Sequence, residues 1–298
     1  PIIKPNNLFL KKILNFNEKY FYFIFCLIQN FYLNKKIKHD KNVYDMIIIF
    51  NGYHLSKKII LELKNRAKSS LINIQTDNIF LKKNIIKTNL IFFDKIYVWS
   101  KKLKTKIASN LKINKKKIFY LPFGYDQFLS NKQNNNLNNK ILFYGSWDKN
   151  RENNLNKINF KNLRIFGNGW ENAQKSFRNK YNIGKELIGK KLSREISRSL
   201  VCINLFRDQA KDYINMRSFE VLGYGGSLLS EYSSEQKSFF RLCKGVIYFK
   251  SIQQVDRIYN KLLLKRKQIL FFRKKNYNFI KSHCYYERAK YILKNEKF

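Results

Sequence analysis

The segment richest in possible chemistry is Asn215 to Ser230, NMRSFEVLGYGGSLLS. Its spacing predicts a helix over Arg217 to Gly223, stopped by Gly225-Gly226 and passing directly into a strand. Asn215, Met216, Arg217 and Ser218 stand at the start of that helix. Unpaired backbone N–H groups and the helix dipole favour an anion there, phosphate above all. Arg217 adds a planar fork that pairs with two phosphate oxygens at once. The competing reading of Arg217 is one more cation in a basic chain. Upstream, Gly145-Ser146 closes the apolar run Ile141 to Tyr144, and a glycine at a strand end lets backbone approach a ligand closely. Arg151, just beyond, reads either as a diphosphate contact or as an ordinary surface arginine. Gly167-Asn168-Gly169-Trp170 follows the run Leu163 to Phe166. It borders a base pocket in one reading and forms a plain β-α turn in the other.

These residues need elements to hold them, and the chain alternates strand and helix signals throughout. Asp45 to Phe50 (DMIIIF), Ser70 to Gln75, Phe92 to Ser100 and Lys117 to Leu121 are short β-branched or aromatic runs ending in turn residues. Such runs read as buried strands. Leu55 to Lys68 and Lys101 to Leu111 carry helical spacing between them. Ser130 to Lys140 (SNKQNNNLNNK) is almost all Asn, Lys and Gln and reads as a linker. Beyond it the alternation restarts, with strands at 141–144, 163–166, 201–206, 227–231 and 245–249 and helices at 192–199, 217–223 and 252–266. The expected fold class is therefore α/β, with two doubly wound, parallel-sheet, Rossmann-like domains. The expected layout is a first lobe over 1–129, a linker over 130–140, a second domain over 141–280 and a final helix over 281–298. Two such domains would place a ligand cleft at the carboxyl ends of their strands.

Bulk properties set limits on this reading. The chain has 298 residues, 44% hydrophobic and 16% aromatic, which supports two cores and excludes wholesale disorder. Lys and Arg number 60 against 20 Asp and Glu, for a net charge of +40. A field of that size attracts anionic donors, lipid head groups and RNA. The lysines are spread along the whole chain rather than gathered on one element, as compositional drift would leave them. Cys26, Cys202, Cys243 and Cys284 are scattered, giving neither a zinc site nor a disulfide framework. With no signal peptide apparent, that usage fits the cytoplasm. The apolar stretch Tyr20 to Leu33 is too short to span a bilayer and reads as a buried helix or a membrane-surface one. No phosphate loop of the G-x-x-x-x-G-K-S/T kind, no G-x-S-x-G elbow, no H-E-x-x-H and no D-x-D triplet occurs.

The Asn215 to Ser230 segment resembles the C-terminal domain of group 1 glycosyltransferases, and most closely the spore-maturation-protein-like branch, with its N-x-R-x-F-E-x-x-x-x-G-x-x-x-L pattern. Four further pieces follow that family's order. They are Tyr120 to Asp126, then Phe143 to Ser146 with Arg151-Glu152, then Ile165 to Trp170, and finally Ser282 to Tyr285 with Arg288-Ala289. The likeness covers about residues 45 to 293. It implies a GT-B architecture that moves a sugar from a nucleoside-diphosphate donor to an acceptor hydroxyl, in surface glycan synthesis. It implies no metal and no cofactor, the leaving diphosphate being stabilised by cations and helix N-termini. By resemblance Glu220 accepts hydrogen bonds from the donor ribose. The first acid of the relatives' E-x7-E pair falls on Asp212, one methylene shorter than the glutamate usual there. Donor contacts are implied for Asn215, Arg217, Ser218, Gly145, Ser146, Arg151, Gly167 and Gly169. An acceptor-side base is expected on the first lobe at His54 or Asp77, each of which also reads as a plain polar residue beside a strand end. His283 is expected to order the final helix, which in this architecture crosses back to the first lobe. That lobe looks short by one or two β-α units, as a truncated start would leave it.

Expected partners are a nucleotide-sugar donor, a glycan, lipid-linked or protein acceptor, and an anionic membrane touched peripherally. No specific nucleic acid is expected. The rival from another class is a basic RNA-binding protein, for which runs such as Phe271 to Tyr277 (FFRKKNY) would supply rings and cations. A transferase fold kept as a binding protein is the third reading.

Overall fold

The computed structural model describes residues 22–81, 87–130, 136–159, 162–207 and 213–296. The chain divides into two compact units, Pro1–Leu121 and Pro122–Phe298.

In the first unit α1 (Tyr22–His39) precedes β1 (Tyr44–Phe50), α2 (Lys57–Asn65), β2 (Ala67–Gln75), β3 (Lys95–Val98), α3 (Lys101–Asn110) and β4 (Ile118–Tyr120). The four strands form one parallel sheet in the order β1-β2-β3-β4. Local signals explain the helix starts. Ser56 Oγ accepts from Ile59 N at 3.4 Å and Ser100 Oγ from Leu103 N at 3.2 Å, satisfying first-turn donors that the helix itself leaves open. Ile59, Ile60, Leu103 and Ile107 then face the sheet and are buried. α1 runs on past the apolar stretch into Lys35-Lys36-Ile37-Lys38-His39, whose cations favour a helix C-terminus. Among the described residues no helix is long and apolar enough to cross a membrane.

The second unit carries β5 (Ile141–Tyr144), α4 (Lys149–Asn156), β6 (Leu163–Phe166), α5 (Lys175–Lys180), β7 (Asn182–Gly184), α6 (Gly189–Arg198) and β8 (Val201–Asn204). Then follow α7 (Met216–Gly223), β9 (Leu228–Glu231), α8 (Ser234–Phe239), β10 (Val246–Phe249), α9 (Gln254–Leu264), α10 (Arg266–Ile280) and α11 (Tyr285–Asn295). Its six parallel strands lie in the order β10-β9-β8-β5-β6-β7. Strand order therefore reverses between β5 and β8, the switch point at which doubly wound sheets open a crevice. The described strands of the first sheet are added in one direction only, without such a reversal. β5 is buried on both faces. Phe143 joins a core with Leu155, Ile165, Trp170 and Phe177, while Leu142 and Tyr144 join one with Phe219, Leu222 and Phe240.

Two boundaries differ from the sequence expectation. Pro122 to Leu129, assigned above to the first lobe, packs into the second unit. Tyr125 is 1% exposed there against Tyr224, Ser193 Oγ donates to Leu129 O, and Ser130 Oγ donates to Gly223 O at 2.8 Å. The Asn-rich stretch is also not wholly a spacer, since Leu137 is buried and Arg266 donates to its carbonyl. Residues 131–135 lie outside the described residues. α11 is bound to the second unit's own first residues. Arg288 donates to Pro122 O at 2.8 Å and to Phe123 O at 3.2 Å, and Tyr285 N donates to Tyr125 O at 3.0 Å. His283 Nδ1 lies 2.9 Å from Arg288 Nη2, at the foot of this helix.

Candidate active site

A cavity of about 560 Å³ opens at the carboxyl ends of β5 and β8, where the reversal of strand order predicts one. Gly145 and Ser146 enter it from the end of β5, Arg207 from beyond β8, and Asn215, Met216, Arg217 and Glu220 from α7. Asp126 and Tyr285 line it as well.

The start of α7 is fixed by a buried polar network. Asn215 caps the helix, its Oδ1 accepting from Ser218 N at 3.3 Å and from Ser218 Oγ at 2.9 Å. Asn204, at the end of β8, exchanges amide hydrogen bonds with Asn215 at 2.8 and 3.2 Å and donates to Ser230 Oγ at 3.0 Å. Gln236 closes the ring, donating to Ser218 Oγ at 2.8 Å and accepting from Ser230 Oγ at 3.1 Å. Ser218 is fully buried with both its hydroxyl and its amide engaged inside the protein. It braces the helix start and is absent from the cavity lining.

Arg217 sits differently. Its guanidinium lies against the Gly145 backbone, over the rings of Phe143 at 5.8 Å and Tyr144 at 5.5 Å. Among the described residues it takes part in no hydrogen bond or ion pair. Burial pulls its pKa down, with Tyr144 and Glu220 pulling the other way. Gly145 is what admits it, because a Cβ built there would overlap the Arg217 guanidinium. Glu220, one turn further on, accepts from Tyr144 Oη at 3.1 Å through Oε2. Its Oε1 takes no hydrogen bond from the described residues. Burial raises the Glu220 pKa against the lowering effects of the Tyr144 hydrogen bond and Arg217.

Arg151 is 3% exposed. It donates to Ser146 O at 2.9 Å and to Leu205 O at 3.2 Å and pairs with Asp148 at 3.4 Å. Burial brings its pKa down to about 9, helped by the neighbouring Arg217. It joins the ends of β5 and β8 rather than reaching freely into the cavity. Gly167, Gly169 and Trp170 stand behind Gly145: Trp170 Nε1 donates to Gly145 O at 2.9 Å, and Gly145 N donates to Phe166 O at 2.7 Å. They shape the wall and do not line the cavity. Sequence reasoning passed over Tyr144, Arg207, Asp126 and Tyr285. Tyr144 reads as the core end of an apolar strand, Asp126 and Tyr285 fall in pieces that carry the resemblance without being singled out for a role, and Arg207 lies in a segment with no distinguishing pattern.

The first unit holds the remaining candidates. His54 lies between β1 and α2, with Cys26 Sγ 3.8 Å from its Nδ1 and Asn30 donating to its carbonyl. Asp77 follows β2. Since β1 and β2 are parallel neighbours, both stand at the carboxyl edge of the first sheet. Asp212 lies outside the described residues. Among the described residues no group of three His, Cys, Asp or Glu side chains is placed to hold a metal ion.

Solved structures share this fold. HepE from Anabaena, in complex with UDP-glucose, matches with a TM-score of 0.63 at 10% identity, covering 88% of this chain and 81% of that one. Sucrose-phosphate synthase from Thermosynechococcus elongatus matches with a TM-score of 0.65 at 11% identity, covering 89% and 76%. The β-glucosyltransferase of phage T4 matches with a TM-score of 0.52 at 15% identity, covering 86% and 83%. At such identities the likeness is one of fold, the GT-B arrangement of two Rossmann-like α/β domains. No curated protein sequence matches the chain. Residues 146–294, half the chain and all of the cavity wall from Ser146 to Tyr285, match the family described as glycosyl transferase-like, and the chain belongs to that family.

Proposed function

We propose that the chain transfers a sugar, of hexose type, from a nucleoside diphosphate to an acceptor hydroxyl, without a metal ion. One observation carries this reading: a guanidinium with no acceptor among the described residues, held on the Gly145 backbone at a helix start, shares a cavity with a carboxylate whose Oε1 accepts no hydrogen bond from the described residues. A half-buried guanidinium is better satisfied when an anion completes it. Arg217 and Arg207, at the positive end of the α7 dipole, suit a diphosphate, and Glu220 suits the adjoining ribose. As the bond from the sugar's anomeric carbon to the diphosphate breaks, its electron pair goes to the phosphate oxygen, which these cations stabilise. The acceptor oxygen forms the new bond to that carbon and gives up its proton to a base, for which His54 and Asp77 are the candidates. Asp212 is retained as the candidate contact to the donor sugar.

The N-x-R-x-F-E pattern supports the spore-maturation-protein-like branch and, with it, an acceptor among surface glycans. The excess of Lys and Arg supports work at an anionic membrane face on the cytoplasmic side. Donor binding is tested by thermal shift with UDP, GDP, ADP and dTDP on wild type and Glu220→Ala. A ligand at ~100 times its dissociation constant stabilises the fold by about 2.7 kcal/mol. A shift for one diphosphate that Glu220→Ala removes supports the reading. No shift for any of them, with a salt-sensitive shift for RNA, leaves only the fold.

A further inference from the structure

Tyr144 is the last residue of β5 and directly precedes the glycine on which Arg217 rests. The residue is 8% exposed and its ring is covered by the Arg217 guanidinium at 5.5 Å. Its hydroxyl donates to Glu220 Oε2 at 3.1 Å, the only hydrogen bond that carboxylate accepts among the described residues. Glu220 and Arg217 are three residues apart on α7, a spacing at which opposite charges on a helix pair readily. They form no ion pair here.

We infer that Tyr144 is a positioning residue that holds Glu220 away from Arg217 and so lets Glu220 distinguish a ribose from a deoxyribose. The inference rests on the cavity being a nucleotide site and goes on to say how that site is tuned. An ionised carboxylate offers about four lone-pair directions. Tyr144 takes one of them on Oε2. That fixes the plane of the carboxylate and leaves Oε1 for the 2′- and 3′-hydroxyls of the donor. Without the phenol hydroxyl, Glu220 swings onto Arg217. The ribose acceptor and the diphosphate cation then neutralise each other. Burial and the nearby Glu220 raise the Tyr144 pKa, so it remains a proton donor across the working range of pH.

The test measures affinity for each ribonucleoside diphosphate and its 2′-deoxy counterpart, in wild type, Tyr144→Phe, Glu220→Gln and the double variant. Tyr144→Phe keeps the ring beneath Arg217, and unliganded melting verifies that it folds. Wild type is expected to prefer the ribo form. Tyr144→Phe weakens ribo binding by about tenfold, the size of one hydrogen bond to a charged group, and brings the ribo/deoxy ratio close to one. In the Glu220→Gln background the same change moves the ratio no further, because Tyr144 acts through Glu220. Glu220→Asp, which draws the carboxylate back from the phenol, collapses the ratio with Tyr144 intact. A Tyr144→Phe variant that keeps the wild-type ratio, or shifts it equally in both backgrounds, overturns the inference. A wild type that prefers dTDP or ignores the 2′-hydroxyl overturns it too, yet leaves the nucleotide reading standing. A wild type that binds no nucleoside diphosphate ends both.

Discussion

Arg151 and Arg217 are both sequence candidates for a phosphate contact, one close behind a glycine and the other at a helix start inside the N-x-R-x-F-E pattern. What separates them is what lies within reach of each guanidinium. Arg151 finds the carbonyls of Ser146 and Leu205 and is consumed by them. Among the described residues Arg217 meets ring faces and a glycine. Arg151→Ala is accordingly expected to strand two carbonyls and cost about 1–3 kcal/mol in a denaturant melt, a stability effect first. Arg217→Lys is expected to leave the melt almost unchanged and lower kcat by about 10²–10³-fold, since a point charge does not reproduce the fork at the leaving diphosphate. Assays and melts on the two variants check both. The sequence favours Arg217 by its place in the N-x-R-x-F-E pattern but does not show what occupies Arg151, because nearby carbonyls are a property of folded loops. Tyr144 escaped notice for a related reason: an aromatic closing the run Ile141 to Tyr144 satisfies a core pattern, and its hydroxyl is invisible to hydropathy.

The element that matters most is α7, and its placement rests on its cap. Asn215 links the helix to β8 through Asn204 and, by way of Ser218, Ser230 and Gln236, to β9 and α8. Asn215→Ala is expected to destabilise by about 1–2 kcal/mol and to weaken nucleotide binding along with it, read by melting and titration. The helix and its cap were legible from the order Asn215 to Gly223. The network was not, because in a chain so rich in Asn and Ser the members look like any others. At the other end of the unit, His283 is packed among Phe219, Phe239 and Phe279 beside Arg288, and burial with that cation lowers its pKa to about 4. The unfolded chain therefore binds a proton here that the folded chain refuses between about pH 6.5 and 4. Stability is expected to be full above that window and to fall as the pH drops through it. His283→Gln, whose side-chain oxygen still accepts from Arg288, flattens that slope in melts taken across the window.

For the whole molecule, alternation of strand and helix sufficed to foretell two parallel sheets, and β5 and β6 lie where their apolar runs begin and end. The domain boundary was less legible, because Pro122 to Leu129 carries turn residues that resemble a lobe's exit while Tyr125 buries itself in the next unit. All the residues lining the cavity, from Asp126 to Tyr285, belong to Pro122–Phe298. That unit expressed alone is expected to bind nucleoside diphosphate as the full chain does, and to catalyse no transfer, as calorimetry and a transfer assay would read. The net charge of +40 acts on a different scale. Raising salt from about 50 to 200 mM is expected to cut RNA affinity on the order of 10³-fold while nucleotide affinity changes far less, because only the former releases many counterions.

The wall behind the cavity is a stack in which each layer occupies the space that a side chain on the next would need. A Cβ at Gly167 would strike the carbonyl of Gly145, and a Cβ at Gly145 would strike Arg217. Both glycines also hold positive φ, 149° and 154°, so a side chain at either is strained even where its neighbours give way. A change at either glycine therefore moves the ledge on which Arg217 rests, whatever the polarity of the residue brought in.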